Sequence, residues 1–287
     1  MTDTFPSKLL LFGEYLALID GPVLAVPFGR YSCEWQQGDG EQYDLPELAD
    51  YITHQLPALD GVGMTYDLNE GWYLRSDIPR GYGLGSSGAV CAAVYERYAL
   101  PDAPRSGSEL RQILQQLEGY YHGQSSGVDP LISYTRKAYH TQDDESRLLD
   151  WLAPDLPDGH ALFLWNTGQG RHAQPLIKAF VARYREEQGY AEQLRERLLP
   201  VTEQLLDAFL SGEYEQFSHL FGQLSALQLE LLRPMIPDVQ FPMWQAGLVP
   251  HSTYHLKLCG AGGGGFVMGY TTDWVACPLR SHSVRVY

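Results

Sequence analysis

Residues 79–89 read Pro-Arg-Gly-Tyr-Gly-Leu-Gly-Ser-Ser-Gly-Ala, and the residues that follow, through Tyr98, have the composition of a helix. Glycine allows positive φ and lets a ligand approach the backbone, because no Cβ stands in the way. The beginning of a helix offers unpaired N–H groups and the positive end of its dipole. Together these features predict an anion site, usually for phosphate, and the serine hydroxyls add donors and a candidate metal ligand. The alternative is a tight turn with a serine N-cap.

Two common phosphate-binding motifs do not explain this stretch. The P-loop requires Lys and then Ser or Thr after its last glycine, whereas Gly88 is followed by Ala89. The pattern G-x-G-x-x-G does occur, at Gly83, Gly85 and Gly88. In dinucleotide-binding folds it directly follows a buried, evenly apolar strand, but here residues 72–78 alternate and Pro-Arg-Gly-Tyr intervenes. A nicotinamide-binding enzyme is therefore kept only as an alternative, which the absence of NAD binding would exclude.

Composition narrows the class of protein and its partners. The chain has 287 residues, enough for one large domain or two medium ones, and a formal net charge of −15. This charge argues against a nucleic-acid surface and favours a cytoplasmic protein, in which an anionic substrate needs a local cluster of donors. Residues 1–8 are polar and no long apolar stretch follows, so neither a signal peptide nor a membrane span is expected. The four cysteines form no C-x-x-C pair and are predicted to be free thiols.

The first half of the chain alternates short apolar runs with turn residues. Strands are predicted over residues 8–12, 15–18, 23–26 and 30–36, and a β-hairpin over residues 64–68 and 72–78. Helices are predicted over residues 45–59, 89–98 and 108–121, and from Pro130 onward. This order indicates an α+β protein rather than a doubly wound sheet.

The second half is richer in helical patterns. Residues 141–159 are polar and rich in Pro and acids, and we take them as the boundary between domains at 1–155 and 156–287. Residues 175–235 are predicted to be mostly helical, and strands are predicted over residues 160–165, 254–259, 266–270 and 283–287. Five glycines occupy the six positions 260–265. Because such a run is entropically costly, it predicts a close backbone approach to a ligand or to the first glycine-rich stretch.

Three charged residues are candidate catalytic or metal-binding residues, and each also has a simpler structural explanation. Lys8 opens the first strand, where a solvated strand-end charge is the alternative. Glu118 lies near the end of a helix, where a carboxylate opposes the dipole at a cost below ~1 kcal/mol. Metal ligation would explain this position, and simple tolerance is the alternative. Asp129 lies among small residues just before Pro130, where it is either functional or an N-cap.

The order and spacing of Lys8–Glu14, Pro79–Ala89, Ser125–Asp129 and Lys257–Phe266 closely resemble the GHMP small-molecule kinases. This superfamily includes galactokinase, homoserine kinase, mevalonate kinase and phosphomevalonate kinase. The resemblance covers nearly the whole chain. It implies a two-domain α+β fold, with an N-terminal domain like domain 2 of ribosomal protein S5 and a ferredoxin-like, helix-rich C-terminal domain. ATP is expected in the cleft between the two.

The resemblance also implies roles for individual residues. The ATP phosphates would contact Gly81, Gly83, Leu84, Gly85, Ser86, Ser87 and Gly88. Mg²⁺ would be held by Ser87 and Glu118, and Asp129 and Lys8 would be catalytic. The acceptor alcohol would contact Glu14, Tyr15, Ser126, Arg171, Gly262 and Gly263. The chain is compatible with a homodimer.

The resemblance indicates the identity of the acceptor less directly than the roles of these residues. His122-Gly123, Ser126–Asp129 and the spacing from Asn166-Thr167 to Arg171 are similar to mevalonate kinases, which act in isoprenoid precursor synthesis. Gly13-Glu14-Tyr15 is similar to phosphomevalonate kinases, as is Gly88, where mevalonate kinases more often have Ala. Mevalonate is therefore the first choice, and phosphomevalonate and sugars are alternatives. A catalytically inactive relative that binds nucleotide or metabolite is the alternative of another class.

Overall fold

The structure is a computed structural model that describes residues 4–40, 44–142, 145–170 and 173–287. Its strands are β1 (Thr4–Phe12), β2 (Val23–Gln37), β3 (Trp72–Ser76), β4 (Ala138–Gln142), β5 (Glu145–Leu149), β6 (Ala161–Asn166), β7 (Tyr254–Leu258), β8 (Phe266–Thr271) and β9 (Ser283–Arg285). Its helices are α1 (Leu45–Gln55), α2 (Gly61–Asn69), α3 (Ser86–Tyr98), α4 (Gly107–His122), α5 (Val128–Thr135), α6 (Ala173–Glu186), α7 (Gln188–Gln193), α8 (Leu199–Ser211), α9 (Tyr214–Leu231) and α10 (Phe241–Ala246). The α+β class is as predicted.

The first sheet is organised around the long strand β2. Strand β1 pairs antiparallel with it, so that Lys8 lies opposite Pro27 and Leu9 opposite Val26. The beginning of β2 pairs with β4 and its end with β3, and β4 continues to β5. Strand β1 therefore lies at one edge of this sheet, and its pairing with β2 fixes the position of Lys8.

Helix α3 lies in the core of this first part of the chain. The side chains of Ala89, Cys91, Ala92 and Ala93 are fully buried, which suits small residues on a helix that is covered on several sides. The helix packs against β1, β2, α4 and α5. A buried helix of this kind provides a rigid position for the glycine-rich turn at its N-terminus.

The second sheet has the strand order β7-β8-β6-β9, and all of its pairs are antiparallel. Aromatic contacts join it to the helices of the second half, as between Phe217 of α9 and Tyr270 of β8, whose ring centroids are 5.0 Å apart. The two sheets use separate parts of the chain, before residue 150 and after residue 160. The domain boundary near residue 155 stays a prediction.

Two predicted strands are wrong. Residues 16–18 fall in a short 3-10 helix, Leu16–Ile19, and Tyr15 precedes it, because Gly13 and Tyr15 both have positive φ and turn the chain away from the strand direction. Residues 64–68 belong to α2. There the Asp60 carboxylate accepts a hydrogen bond from Gly63 N at 2.8 Å, and Met64 and Leu68 occupy one helical face. Strand β3 therefore pairs with β2 and not with a hairpin partner.

One helix boundary and one β-hairpin also differ from the predictions. Helix α1 ends at Gln55, since Leu56 precedes a proline and takes a non-helical conformation with φ −126°. The hairpin of β4 and β5 was not predicted, because its outer strand is exposed along most of its length and its sequence is polar.

Among the described residues, no helix combines the length and the apolar character that crossing a bilayer requires. All four cysteines are buried, reduced thiols.

Candidate active site

Strand β1 brings Lys8 directly against the glycine-rich turn. The Lys8 amide donates a hydrogen bond to the carbonyl oxygen of Leu84 at 2.9 Å. Its ammonium lies 2.9 Å from the Asp129 carboxylate, and the two side chains are 13% and 31% exposed. The pair is thus ordered but open to a small molecule. A strand-end charge free in solvent, the plainer alternative for Lys8, does not describe this arrangement.

Two glycines of the turn make this approach possible. Gly85 has φ +68° and precedes α3, and a Cβ built on it would lie 3.2 Å from Asp129 Oδ2 and 3.3 Å from Lys8 Cβ. A Cβ on Gly88 would lie 2.8 Å from the backbone carbon of Asp129. Only glycine lets the N-termini of α3 and α5 come this close, so both helix ends point toward one place.

Asp129 is not an N-cap. Helix α5 is preceded by Gly127, with φ +71°, and no side chain caps it. Asp129 lies in the first turn, and its carboxylate reaches across to Lys8. A negative side chain there is favourable to the helix dipole. The preceding loop is braced by Ser125, whose hydroxyl accepts a hydrogen bond from Gly127 N at 2.9 Å.

Glu118 is a buried carboxylate beside the turn. Its oxygens accept hydrogen bonds from Ser87 Oγ at 3.3 Å and from Ser125 Oγ, while Ser87 Oγ also contacts His122 Nε2 at 2.9 Å. Burial raises the pKa of Glu118 to about 7, and the negative charge of Asp129 adds to the shift. A cation bound nearby would stabilise the ionised form of the Glu118 carboxylate.

A cavity of about 240 Å³ opens beside the beginning of α3. Ser86 and Ser87 line it, together with the apolar or aromatic side chains of Leu45, Leu74, Val90 and Tyr121. The cavity thus joins an apolar slot to the serine hydroxyls and the helix N-terminus. A flat, partly apolar group with an attached anion suits this shape.

A second cavity, of about 480 Å³, opens beside the Lys8–Asp129 pair. Both of these residues line it, together with Ser126, Arg111 and Tyr139. The Ser126 hydroxyl also accepts a hydrogen bond from Val128 N at 3.3 Å. This cavity leaves room for a small polar ligand beside the Lys8–Asp129 pair, and the first cavity leaves room for an anionic ligand beside Ser86 and Ser87.

The glycines at 260–265 approach the first glycine-rich turn, as predicted. Gly265 has φ +70°, and a Cβ on it would lie 3.1 Å from Tyr82 Cα. The Gly265 carbonyl accepts a hydrogen bond from Thr167 Oγ1 at 2.6 Å. A Cβ on Gly262 would collide with the carbonyl oxygen of Met235, to which Gly263 N donates at 2.8 Å. Contact of Gly262 and Gly263 with an acceptor stays a prediction.

Glu14 and Tyr15 contact residues of the second half of the chain. The Glu14 carboxylate is enclosed with Lys257, at 2.5 Å, and the two side chains are 1% and 0% exposed. The Tyr15 hydroxyl donates to the carbonyl oxygen of Ala261 at 2.6 Å. Within the described ranges, neither residue lines the cavity beside Asp129. Their contact with an acceptor stays a prediction, and the contacts described here join the first part of the chain to the second.

Sequence reasoning missed Arg111 and selected Arg171. Arg171 lies outside the described residues, and its role stays a prediction. Arg111 lines the cavity beside Asp129. Its place on α4, seven residues before Glu118, carries no local signal. Only the fold of α4 against the loop before α5 brings it to the site.

Comparison with known proteins agrees with this geometry. Residues 48–137 match the family described as "GHMP kinases N terminal domain". A mevalonate kinase of Archaeoglobus fulgidus is 26% identical, with 94% of this chain and 92% of the relative covered. The fold is similar to that of L. major mevalonate kinase in complex with R-mevalonate, at 16% identity and TM-score 0.63, covering 99% of this chain and 94% of the other. It is also similar to Streptococcus pneumoniae phosphomevalonate kinase with phosphomevalonate and AMPPNP, at 14% identity and TM-score 0.65, covering 100% and 98%.

The matched family region contains the glycine-rich turn, Glu118 and Asp129, and the similarity to full-length relatives extends to both sheets. Residues 48–137 therefore match the GHMP kinase family, and the similarity to relatives of comparable length supports a small-molecule kinase.

Proposed function

We propose that this kinase transfers the γ-phosphoryl group of ATP, with Mg²⁺, to the hydroxyl of mevalonate. The observation that carries the proposal is the Lys8–Asp129 pair at 2.9 Å, in contact with the glycine-rich turn and open to the larger cavity. An acid–base pair at the meeting point of an anion site and a small-molecule cavity is the arrangement that phosphoryl transfer to an alcohol needs.

The nucleotide side is supported by the turn and the smaller cavity. The N-terminus of α3 and the positive-φ glycines Gly81, Gly83 and Gly85 leave backbone N–H groups for phosphate oxygens. The apolar slot at Leu74 and Val90 has the size and character for a nucleobase. ATP would therefore lie with its base in this slot and its terminal phosphates toward Lys8.

The donor set near the turn fits Mg²⁺. Ser87 and Glu118 present a hydroxyl and a carboxylate, the hard oxygen ligands that Mg²⁺ prefers, and burial raises the pKa of Glu118, a shift that a bound cation would oppose. In the described part of the chain, no group of three His, Cys, Asp or Glu side chains could hold a metal by itself. Mg²⁺ is usually bound by one or two protein carboxylates together with substrate phosphates. Ser87 and Glu118 would therefore form only the protein's part of its ligand set. Bound there, it would neutralise charge on the phosphates.

On the acceptor side, Asp129 would orient the hydroxyl and take its proton. Lys8, in contact with that carboxylate, would stabilise the negative charge that develops on the attacking oxygen. Proton removal of this kind contributes about 10²–10⁴-fold to a rate. The glycine-rich turn would hold the phosphates in line with the hydroxyl, and this positioning supplies much of the remainder.

The test is a screen for ADP release with ATP, Mg²⁺ and each of mevalonate, phosphomevalonate, galactose and other hexoses. We expect mevalonate to give the highest kcat/KM. Calorimetry with ATP and Mg²⁺ is run in parallel, so that nucleotide binding is measured without turnover. Tight nucleotide binding with no ADP release on any acceptor would overturn the proposal, and turnover with hexoses alone would overturn the choice of mevalonate.

A further inference from the structure

The cavity beside Asp129 contains a cation that the mechanism above does not use. Among the described residues, two cationic side chains line it, Lys8 and Arg111. Lys8 is already paired with Asp129. Arg111, in contrast, has no carboxylate within ion-pair distance in residues 4–40, 44–142, 145–170 and 173–287.

Neutral groups hold Arg111 in place. Its Nε donates a hydrogen bond to the carbonyl oxygen of Ser126 at 3.0 Å, and its Nη1 donates to the Tyr139 hydroxyl at 3.1 Å. The guanidinium carbon lies 5.3 Å from the centre of the Tyr139 ring. These contacts orient the guanidinium but do not neutralise its charge. A guanidinium has five N–H donors, so this arrangement leaves donors for a ligand.

Arg111 is a cation in a cavity and a protein that are otherwise rich in negative charge, so the choice of its partners is informative. The protein has a net charge of −15, and the acidic Asp20 and Glu145 also line this cavity. An arginine on a wall of this kind would ordinarily pair with one of the acids. Instead, its partners in the described part of the chain are a carbonyl and a phenol, and its planar fork remains suited to a carboxylate.

One short loop holds Arg111 and Asp129 relative to each other. Ser126, which accepts from Arg111, lies three residues before Asp129 in the sequence. A Cβ on Gly127 would lie 2.7 Å from the carbonyl oxygen of Arg111, so the backbones of α4 and the loop are in close contact. A ligand in the cavity can therefore contact Asp129 with one of its groups and Arg111 with another.

We propose that Arg111 binds a carboxylate on the acceptor and thereby selects hydroxycarboxylates over neutral sugars. The proposal rests on the function proposed above and deepens it. Mevalonate and phosphomevalonate both carry a carboxylate, whereas hexoses carry none. Arg111 is a specificity-determining residue in this scheme, and it acts on acceptor binding, not on the proton transfer at Asp129.

The experiment compares mevalonate with 3-methylpentane-1,3,5-triol, which has the same carbon skeleton with the carboxylate reduced to an alcohol. We expect the wild-type enzyme to prefer mevalonate in kcat/KM by about ten- to a hundredfold, the range for a charged hydrogen bond. Arg111→Gln should remove this preference by raising the KM for mevalonate, with the kinetics on the triol and the KM for ATP unchanged. Arg111→Lys, which keeps the charge without the fork, should retain part of the preference.

Arg171→Gln is the matched comparison, since it removes the other candidate arginine. Loss of the preference in Arg171→Gln but not in Arg111→Gln would overturn the proposal. An equal loss on mevalonate and on the triol in Arg111→Gln would also overturn it, because that pattern indicates a structural role for the loop.

Failure of the proposed function is distinguishable from failure of the carboxylate site. If no acceptor releases ADP, calorimetric titration with mevalonate still tests Arg111, because binding needs no turnover. Binding to the wild type that Arg111→Gln abolishes supports the carboxylate site, and no binding to the wild type overturns it. If hexoses alone are phosphorylated, the kinase activity stands and the proposal for Arg111 is wrong.

Discussion

Asp129 and Lys8 are far apart in the sequence, and each has an ordinary structural explanation when considered alone. Their significance comes from three contacts: the 2.9 Å ion pair, the Lys8–Leu84 backbone bond and the approach of Gly85 to both side chains. Because both side chains are partly exposed, the ion pair itself contributes little to stability. Their arrangement is better explained by chemistry at this position than by folding.

Substitution of the acid tests this interpretation. Asp129→Asn keeps the shape of the side chain but cannot accept a proton, so kcat on the best acceptor should fall by about 10²–10⁴-fold. The KM for ATP and the melting temperature should change little. Asp102→Asn, an exposed carboxylate outside both cavities, is the control. Turnover near the wild-type value in Asp129→Asn would remove this residue from the mechanism.

His255 provides a prediction for pH. Burial lowers its pKa below 6.5, and its Nδ1 bonds the carbonyl oxygen of Gly247 at 2.7 Å, which requires a proton on that nitrogen. Below about pH 6.5 the unfolded chain therefore binds a proton that the folded protein resists, and stability falls as the pH decreases. His255→Asn, which retains an N–H donor, should weaken the decrease in melting temperature between pH 7.5 and 5.5.

The exposed His282 is the control for this measurement, and His282→Asn should leave the pH dependence as it is in the wild type. A pH dependence that is the same in His255→Asn and in the wild type would show that His255 does not contribute to acid sensitivity.

At the scale of elements, the site depends on two helix N-termini that meet. Helix α3 begins after Gly85 and α5 after Gly127, and both of these glycines have positive φ. Between them, Gly88 removes the Cβ that would otherwise separate the helices. The local sequence of each helix specifies where it begins, whereas their contact depends on the packing of both against β1.

Gly88→Ala should separate these helices. The new Cβ would lie 2.8–2.9 Å from backbone and Cβ atoms of Asp129, which cannot move aside as a flexible side chain could. We expect a loss of about 1–3 kcal/mol in the free energy of unfolding, as for other overpacked cores, and a fall in kcat of more than about tenfold, because Asp129 is displaced.

Gly119→Ala is the matched control in another helix. Gly119 lies within α4, and a Cβ on it would meet no atom within 4 Å. This variant should gain about 0.5–1 kcal/mol from reduced backbone entropy. Urea unfolding and steady-state kinetics of both variants provide the comparison. Equal stability and activity in the two alanine variants would contradict the role assigned to the contact at Gly88.

At the scale of the whole molecule, the buried Glu14–Lys257 pair joins β7 of the second sheet to the segment after β1. Burial raises the pKa of Glu14, and Lys257 opposes this shift. The Lys257 ammonium also donates to the carbonyl oxygen of Leu258 at 2.7 Å. Tyr15 and Ala261 add a hydrogen bond beside the pair. The cytoplasmic location and the homodimer stay predictions.

Breaking this pair should lower the free energy of unfolding, and a second substitution should restore most of it. Lys257→Met leaves the Glu14 carboxylate buried without its cation, and we expect a loss of about 3–5 kcal/mol in urea unfolding. The double variant Glu14→Gln/Lys257→Met should recover most of this loss. Lys137→Met is the control, since its partner Asp150 is 89% exposed and the pair should contribute no more than about 1 kcal/mol. A double variant as unstable as Lys257→Met would argue against a charge effect.

The sequence alone determined the local features: the glycine-rich turn before α3, the extent of α4, the class of the fold and the resemblance to GHMP kinases. These depend on composition and periodicity within short windows, where glycine and apolar spacing have direct conformational consequences. It failed at residues 15–18 and 64–68, where a positive φ at Tyr15 and a cap at Asp60 outweighed an alternating pattern. Only the tertiary structure decided that Glu14 is buried with Lys257 and that Arg111 faces the cavity beside Asp129, because contacts between distant segments depend on how whole elements pack.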